Sequence, residues 1–352
     1  MIRVLLAEDS TTTRQFLVSI LGDDPEIQVV GEAKNGLEAV ELTQNLRPDV
    51  VAMDIDMPEM NGFEASKRIM AQIPTPIVII SSSMNVGEVR VALQALTAGA
   101  LTVLKKPGGP GAEGNEEDQP RFISTLKLMS QVSVVGHWPD QSRAKQAPTG
   151  EVFSRILPEG NRGRVVVIVA STGGPTALNR IFSALPGNFP APILVVQHMT
   201  AGFMAGCATW MNENSSLRVK LAEEGEALTP GTVYLAGDDR HLEVSAHSTV
   251  HYSNAEPLEG VRPSATLLFE SAAKVYGAST LALVLTGMGS DGVAGLKTVK
   301  EAGGRVIVQD EASSIIFGMP AEAVKSGYTD WVLPLAEIPS RLIEMIPAGG
   351  NK

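Results

Sequence analysis

A single cysteine, Cys207, stands in the whole sequence, so neither an internal disulfide nor a thiolate metal centre is available, as suits a reducing compartment. Histidine is nearly as scarce, five in 352 residues, which limits the candidates for a general base. Basic residues are outnumbered 28 to 39, and the net charge of −11 argues against a nucleic-acid partner held by phosphate neutralisation. No apolar run approaches a membrane span; VVVIVA at 165–170 is only strand length. Acidic residues at positions 8 and 9 interrupt MIRVLLAEDS before a secretory apolar region is complete. A cytoplasmic protein without membrane insertion is therefore expected. What is present is a globular balance, 44% apolar and 19% charged, which excludes a disordered chain. At roughly 150 residues per domain, the length predicts two domains.

Residues 1–107 alternate short runs rich in Val, Ile and Leu with stretches whose apolar residues recur at helical spacing, such as Val89, Leu93 and Leu96. Apolar runs without alternation fit strands buried on both faces, so a doubly wound, five-stranded parallel sheet is predicted. GGPGAEGNEEDQP at 108–120 reads as an exposed loop, and RFISTLKLMSQV as the last helix of a first domain over 1–133. Weak periodicity predicts a linker over 134–163. The stretch 164–347 again alternates strands and helices, with short strands at 217–253 that include a hairpin, HLEVS/TVHYS. It is expected to be a second doubly wound α/β domain with a small antiparallel insert. The negative charge is shared by both halves and marks no boundary.

In the first half, Glu8 and Asp9 end the first predicted strand, Asp54 the third, Ser81 the fourth and Lys106 the fifth. In a parallel sheet these ends share one edge, where ligands bind at the switch point. Three carboxylates gathered there repel one another unless a cation is present, and oxygen-only ligands suit Mg²⁺. Ser81 and Lys106 would offer a hydroxyl and a positive charge to a phosphoryl group on Asp54. The plainer alternative is that acids after strands cap helices.

The motifs AEDS, MDIDMPEMNG, ISS and KKP, in that order, resemble those of a response-regulator receiver domain. The resemblance implies Mg²⁺-dependent phosphotransfer from a histidine kinase to Asp54, with Glu8, Asp9, Asp54 and the Asp56 backbone around the metal. Ser81 would be the switch hydroxyl, and of two adjacent lysines the motif selects Lys106, directly before Pro107.

In the second half, Ser171 of ASTGGPTAL follows a buried strand and opens a helix, a turn that exposes a hydroxyl beside free N–H groups. Such turns also hold phosphates, but neither G-x-G-x-x-G nor G-x-x-x-x-G-K-[ST] is present, which disfavours a nucleotide. A serine nucleophile needs a base. His137 lies in the linker, His247 and His251 on the hairpin, and His241 before a strand, as a bystander. His198 of VVQHM follows an apolar strand and so falls on the Ser171 edge, while TGMGSDG places Asp291 after another such strand. Ser171, His198 and Asp291 thus form a candidate nucleophile, base and orienting acid. Singly, His198 and Asp291 read equally well as helix or strand-end caps. Thr172, directly after the nucleophile, offers an oxyanion amide.

ASTGGP, PAPILVVQHM, GTVYLAGDDRHLEV, RPSATLLFESAA, LTGMGSDGVAGL and SSIIFGMPAEAV, in that order after a receiver, resemble the chemotaxis-type protein-glutamate methylesterases. The resemblance implies phosphorylation-activated hydrolysis of glutamate methyl esters on chemoreceptor cytoplasmic helices, with deamidation of receptor glutamines. A chemotaxis-type histidine kinase would be the phosphodonor, and the hydrolase half would need no cofactor. Met288 would supply the second oxyanion amide. Against the resemblance, Val169 stands where glycine is usual and would crowd the turn or alter its rate, and Gly237 where proline is usual and would loosen a loop beside the site. Arg262 reads as a receptor contact or as a surface ion pair. The fusion suggests that the unphosphorylated receiver covers the Ser171 edge. A non-catalytic adaptor and a transcriptional regulator are the rival readings; the acidic α/β character of the second half opposes the latter.

Overall fold

The computed structural model describes residues 1–82, 86–108, 115–132, 134 and 163–347. The chain divides into two compact units between Ala144 and Lys145. Most of the expected linker, His137 included, lies outside the described residues.

The first unit runs β1 (Ile2–Ala7), α1 (Thr11–Gly22), β2 (Ile27–Ala33), α2 (Gly36–Leu46), β3 (Val50–Asp54), α3 (Gly62–Gln72), β4 (Ile77–Ser81), α4 (Val86–Thr97), β5 (Thr102–Lys105) and α5 (Asn115–Met129). Its five strands form a parallel sheet in the order β2-β1-β3-β4-β5. Every residue of β3 and β4 is buried, as an apolar run covered on both faces requires. The order reverses between β1 and β3, so their carboxyl ends flank a crevice. Helix α5 begins at Asn115, inside the stretch read as a loop. The acidic run EED falls at its start, where the helix dipole favours negative charge, and Pro120 stands inside the helix.

The second unit continues with β6 (Val165–Ala170), α6 (Gly174–Ala184), β7 (Ile193–Gln197), α7 (Met204–Glu213), β8 (Arg218–Leu221), β9 (Thr232–Leu235), β10 (His241–Val244), β11 (Val250–Ser253) and α8 (Ala265–Tyr276). A single 3₁₀ turn then leads to β12 (Thr280–Val284), α9 (Val293–Glu301), β13 (Arg305–Gln309), α10 (Met319–Lys325), β14 (Trp331–Leu333) and α11 (Ile338–Met345). Seven strands make a parallel sheet, β14-β13-β12-β6-β7-β9-β8, and β10 pairs with β11 as the antiparallel insert. This is the predicted architecture, with two additions: β8 and β9 join the main sheet, and β14 extends its far edge. Strand β6 is buried along its whole length at the centre, each such Val or Ile contributing ~1.5–3 kcal/mol. Among the described residues, no helix is long and apolar enough to cross a membrane.

Candidate active site and phosphoacceptor site

Three adjacent strands of the second sheet, β12-β6-β7, each lead at the carboxyl end to one of the predicted residues. Ser171 follows β6, His198 follows β7, and Asp291 lies in the Gly-rich loop after β12. The His198 backbone N–H donates to Ala170 O at 2.9 Å, which holds the two turns side by side. His198 Nε2 lies 3.0 Å from Asp291 Oδ2 and 3.2 Å from the Pro263 carbonyl oxygen. Two acceptors at one nitrogen assign the ring proton to Nε2 and leave Nδ1 as the basic position. Among the described residues the Ser171 hydroxyl makes no hydrogen bond, and neither do the backbone amides of Thr172 and Met288.

Asp291 is held by the N-terminus of α8. Its Oδ2 accepts from the Ala265 amide at 2.6 Å, and its Oδ1 from the Thr266 amide at 3.2 Å and the Ser264 hydroxyl at 2.7 Å. It does not cap α9, which starts just beyond it with Gly292 at the N-cap. Burial pushes the Asp291 carboxyl up, but the His198 contact, the Ala265 amide and the Ser264 hydroxyl overcome this and hold it below the usual carboxylate range.

The loop reaches the nucleophile because Gly287 has no side chain: a Cβ there would meet Ser171 Cβ at 2.5 Å. The Ser171 N–H donates to Thr286 O at 3.0 Å, and the Thr286 hydroxyl donates to Thr172 O at 3.0 Å. Sequence reasoning missed this support. Ser264 sits before an apolar-periodic run and so carries the signal of a helix cap; its partner is Asp291, 27 residues on. His241, read as a bystander, is fully buried: its Nδ1 accepts from the Ser264 amide at 3.0 Å, and its Nε2 lies 3.2 Å from Glu256 O. His247 and His251 are exposed, as expected of the hairpin.

In the first unit the carboxylate oxygens of Glu8, Asp9 and Asp54 lie within 4.8 Å of one another, Glu8 and Asp54 buried and Asp9 exposed. Lys106 Nζ is 2.7 Å from Glu8 Oε2 and 2.7 Å from Asp54 Oδ2. Helix capping does not employ these acids: Ser10 caps α1 and Asn61 caps α3. The Asp56 amide faces Asp54 Oδ1 at 3.4 Å. Ser81 is buried at the end of β4, its carbonyl accepting from the Lys106 amide at 2.9 Å. Burial raises the pKa of Asp54 and of Glu8 above the usual range, more than the Lys106 ammonium lowers them. Burial alone would depress Lys106, yet Asp54 and Glu8 raise it. The pocket thus remains short of positive charge, and its all-oxygen donor set fits a hard divalent cation.

Residues 166–342 match the family model for the CheB methylesterase, and residues 4–112 that for the response regulator receiver domain. A protein-glutamate methylesterase/protein-glutamine glutaminase of Myxococcus xanthus is 47% identical over 350 residues, covering 99% of this chain and 98% of the relative. The chain belongs to the CheB methylesterase family. A relative of the same name from Nitrosospira multiformis is 43% identical over 354 residues, covering 100% of this chain and 99% of its own. The crystal structure of the Thermotoga maritima CheB methylesterase catalytic domain matches at 44% identity and a TM-score of 0.52, spanning 53% of this chain and all of that one. The first unit is accordingly a receiver domain, and the second a CheB methylesterase domain.

The two positions read from the resemblance as departures, Val169 and Gly237, have defined surroundings. The Val169 side chain is fully buried in the core cluster that includes Ala265 and Phe269. The Gly237 amide donates to Tyr252 Oη at 2.9 Å, and that hydroxyl donates to Ala222 O at 3.2 Å; the loop is tied down, not loosened. Arg262 pairs with Asp239, at 2.6 Å through Nη2 and 2.8 Å through Nε.

Proposed function

We propose that this CheB-family protein is a cytoplasmic, phosphorylation-activated hydrolase of glutamate methyl esters on the cytoplasmic helices of chemoreceptors. The observation that carries the reading is the Asp291–His198 couple, at 3.0 Å, on the edge that also presents Ser171. Ser171 Oγ attacks the ester carbonyl while His198 Nδ1 takes its proton. The tetrahedral oxyanion is met by the Thr172 and Met288 amides, whose donors are otherwise unengaged among the described residues. His198 then protonates the departing methoxide, and water hydrolyses the acyl-serine to free glutamate. The same steps on a receptor glutamine release ammonia. Asp291 stays ionised throughout, holding the tautomer and balancing the imidazolium.

In the receiver, Asp54 accepts a phosphoryl group from a chemotaxis-type histidine kinase. Glu8, Asp9, Asp54 and the Asp56 backbone would hold Mg²⁺, which neutralises phosphoryl oxygens when bound. Lys106 supplies a second positive charge, and Ser81 the switch hydroxyl. Methanol release from methylated receptor, compared between wild type and Ser171→Ala, tests the reading. A loss of about a thousandfold or more is expected on removing the nucleophile; equal rates would defeat it.

A further inference from the structure

We infer that Gln197 is a positioning residue that fixes Ser171 and His198 against one another through its side-chain amide. The inference rests on the Ser-His-Asp reading above. Gln197 is the last residue of β7 and is 2% exposed. Its Nε2 donates to Ser171 O at 2.9 Å and to His198 O at 2.8 Å, so both hydrogens of one amide go to the carbonyls of nucleophile and base. The two turns, after β6 and β7, are thereby clamped at one distance.

The rest of the side chain is locked in place. A Cβ on Gly174 would lie 2.0 Å from Gln197 Oε1, so the first residue of α6 leaves room for the amide only because it is glycine. Among the described residues Oε1 has no hydrogen-bond partner, so the side chain's polar contacts are all made by the two donors. Gln309 ends β13 in the corresponding place on the other side of β12 and shows the contrast. It accepts from the Thr286 amide at 2.9 Å, in the loop after β12, and donates to Ser313 O at 2.7 Å in its own loop, with both ends satisfied and neither donor spent on Ser171 or His198. Only Gln197 directs both donors at the reacting pair.

A displacement of about 1 Å between reacting groups costs on the order of a hundredfold in rate. Gln197→Met keeps the length and removes both donors; Gln197→Glu keeps the shape and turns the donor into an acceptor. In the full-length, phosphodonor-activated protein, each is expected to lower kcat for methanol release at least tenfold while KM for methylated receptor stays within twofold. Modification of Ser171 by a fluorophosphonate, which needs no receptor, should slow by a similar factor, with thermal unfolding still well above the assay temperature. A kcat within threefold of wild type in a folded variant, or a loss confined to KM, would overturn the inference. Failure of both variants to fold would do so as well, by assigning Gln197 to the core alone. A Ser171→Ala protein with wild-type turnover would instead bring down the hydrolase reading itself, whatever the Gln197 variants do.

Discussion

Two carboxylates, both buried, are perturbed in opposite directions, and the cause in each case is what surrounds them. Asp291 has amides, a hydroxyl and an imidazole directed at it, so its ionised form is favoured in the fold. A carboxyl with a depressed folded pKa contributes stability above its unfolded pKa, and that stability is lost as pH falls through the folded value. Asp291→Asn is therefore expected to lower kcat by roughly a thousandfold or more and stability by about 2 kcal/mol at neutral pH. The stability gap should close in acid, as thermal melts against pH will read. Asp54 runs the other way. Burial raises its pKa, so the stability it contributes is present below its unfolded pKa and lost as pH rises through the folded value. In the absence of divalent cation, Asp54→Asn should raise stability at neutral pH by roughly 1 kcal/mol, and the gain should fade in acid. These residues were legible in the sequence because each follows a short apolar run, so the topology alone brings them to one edge. Lys106, which reaches Asp54 across 52 residues, was legible by the same strand-end argument. The groups that hold Asp291 were not: Ser264 acts on it across 27 residues, and no local pattern encodes that reach.

At the scale of elements, strands with several consecutive buried residues were readable and the small pieces were not. Helix α10 has seven residues and β14 three, too short for periodicity to separate them from loop. The start of α5 was hidden because glycine, proline and acid together look like loop, although acid also opens helices. The loop after β9 carries a sharper lesson. A glycine where family resemblance leads one to expect proline suggested slackness, but the Gly237 N–H is used by Tyr252, and proline has none to give. Gly237→Pro should therefore destabilise the methylesterase domain by about 1 kcal/mol, a drop of about 2–4 °C in melting temperature. A rise in melting temperature would mean that the rigid ring outweighs the lost bond.

For the whole molecule, the sequence displayed two domains through composition and periodicity, while charge, negative in both, was silent about the division. On the proposed reading, a small-molecule phosphodonor with Mg²⁺ raises methanol release by at least tenfold in wild type and leaves Asp54→Asn unchanged. A protein limited to residues 164–347 should be faster than the unphosphorylated full-length chain if the receiver restrains it; a slower one would make the receiver an activator only. The attachment of Asp291 to the first turn of α8 bears on how such a chain could lose its activity in evolution. Among the described residues, replacing Ser171 removes the chemistry while breaking no side-chain hydrogen bond, whereas replacing Asp291 strips the first turn of a twelve-residue helix of the carboxylate it donates to. In a lineage drifting toward a silent signalling module, the aspartate would outlast the serine, so an intact Asp291 is a poor witness to catalysis and an intact Ser171 a good one.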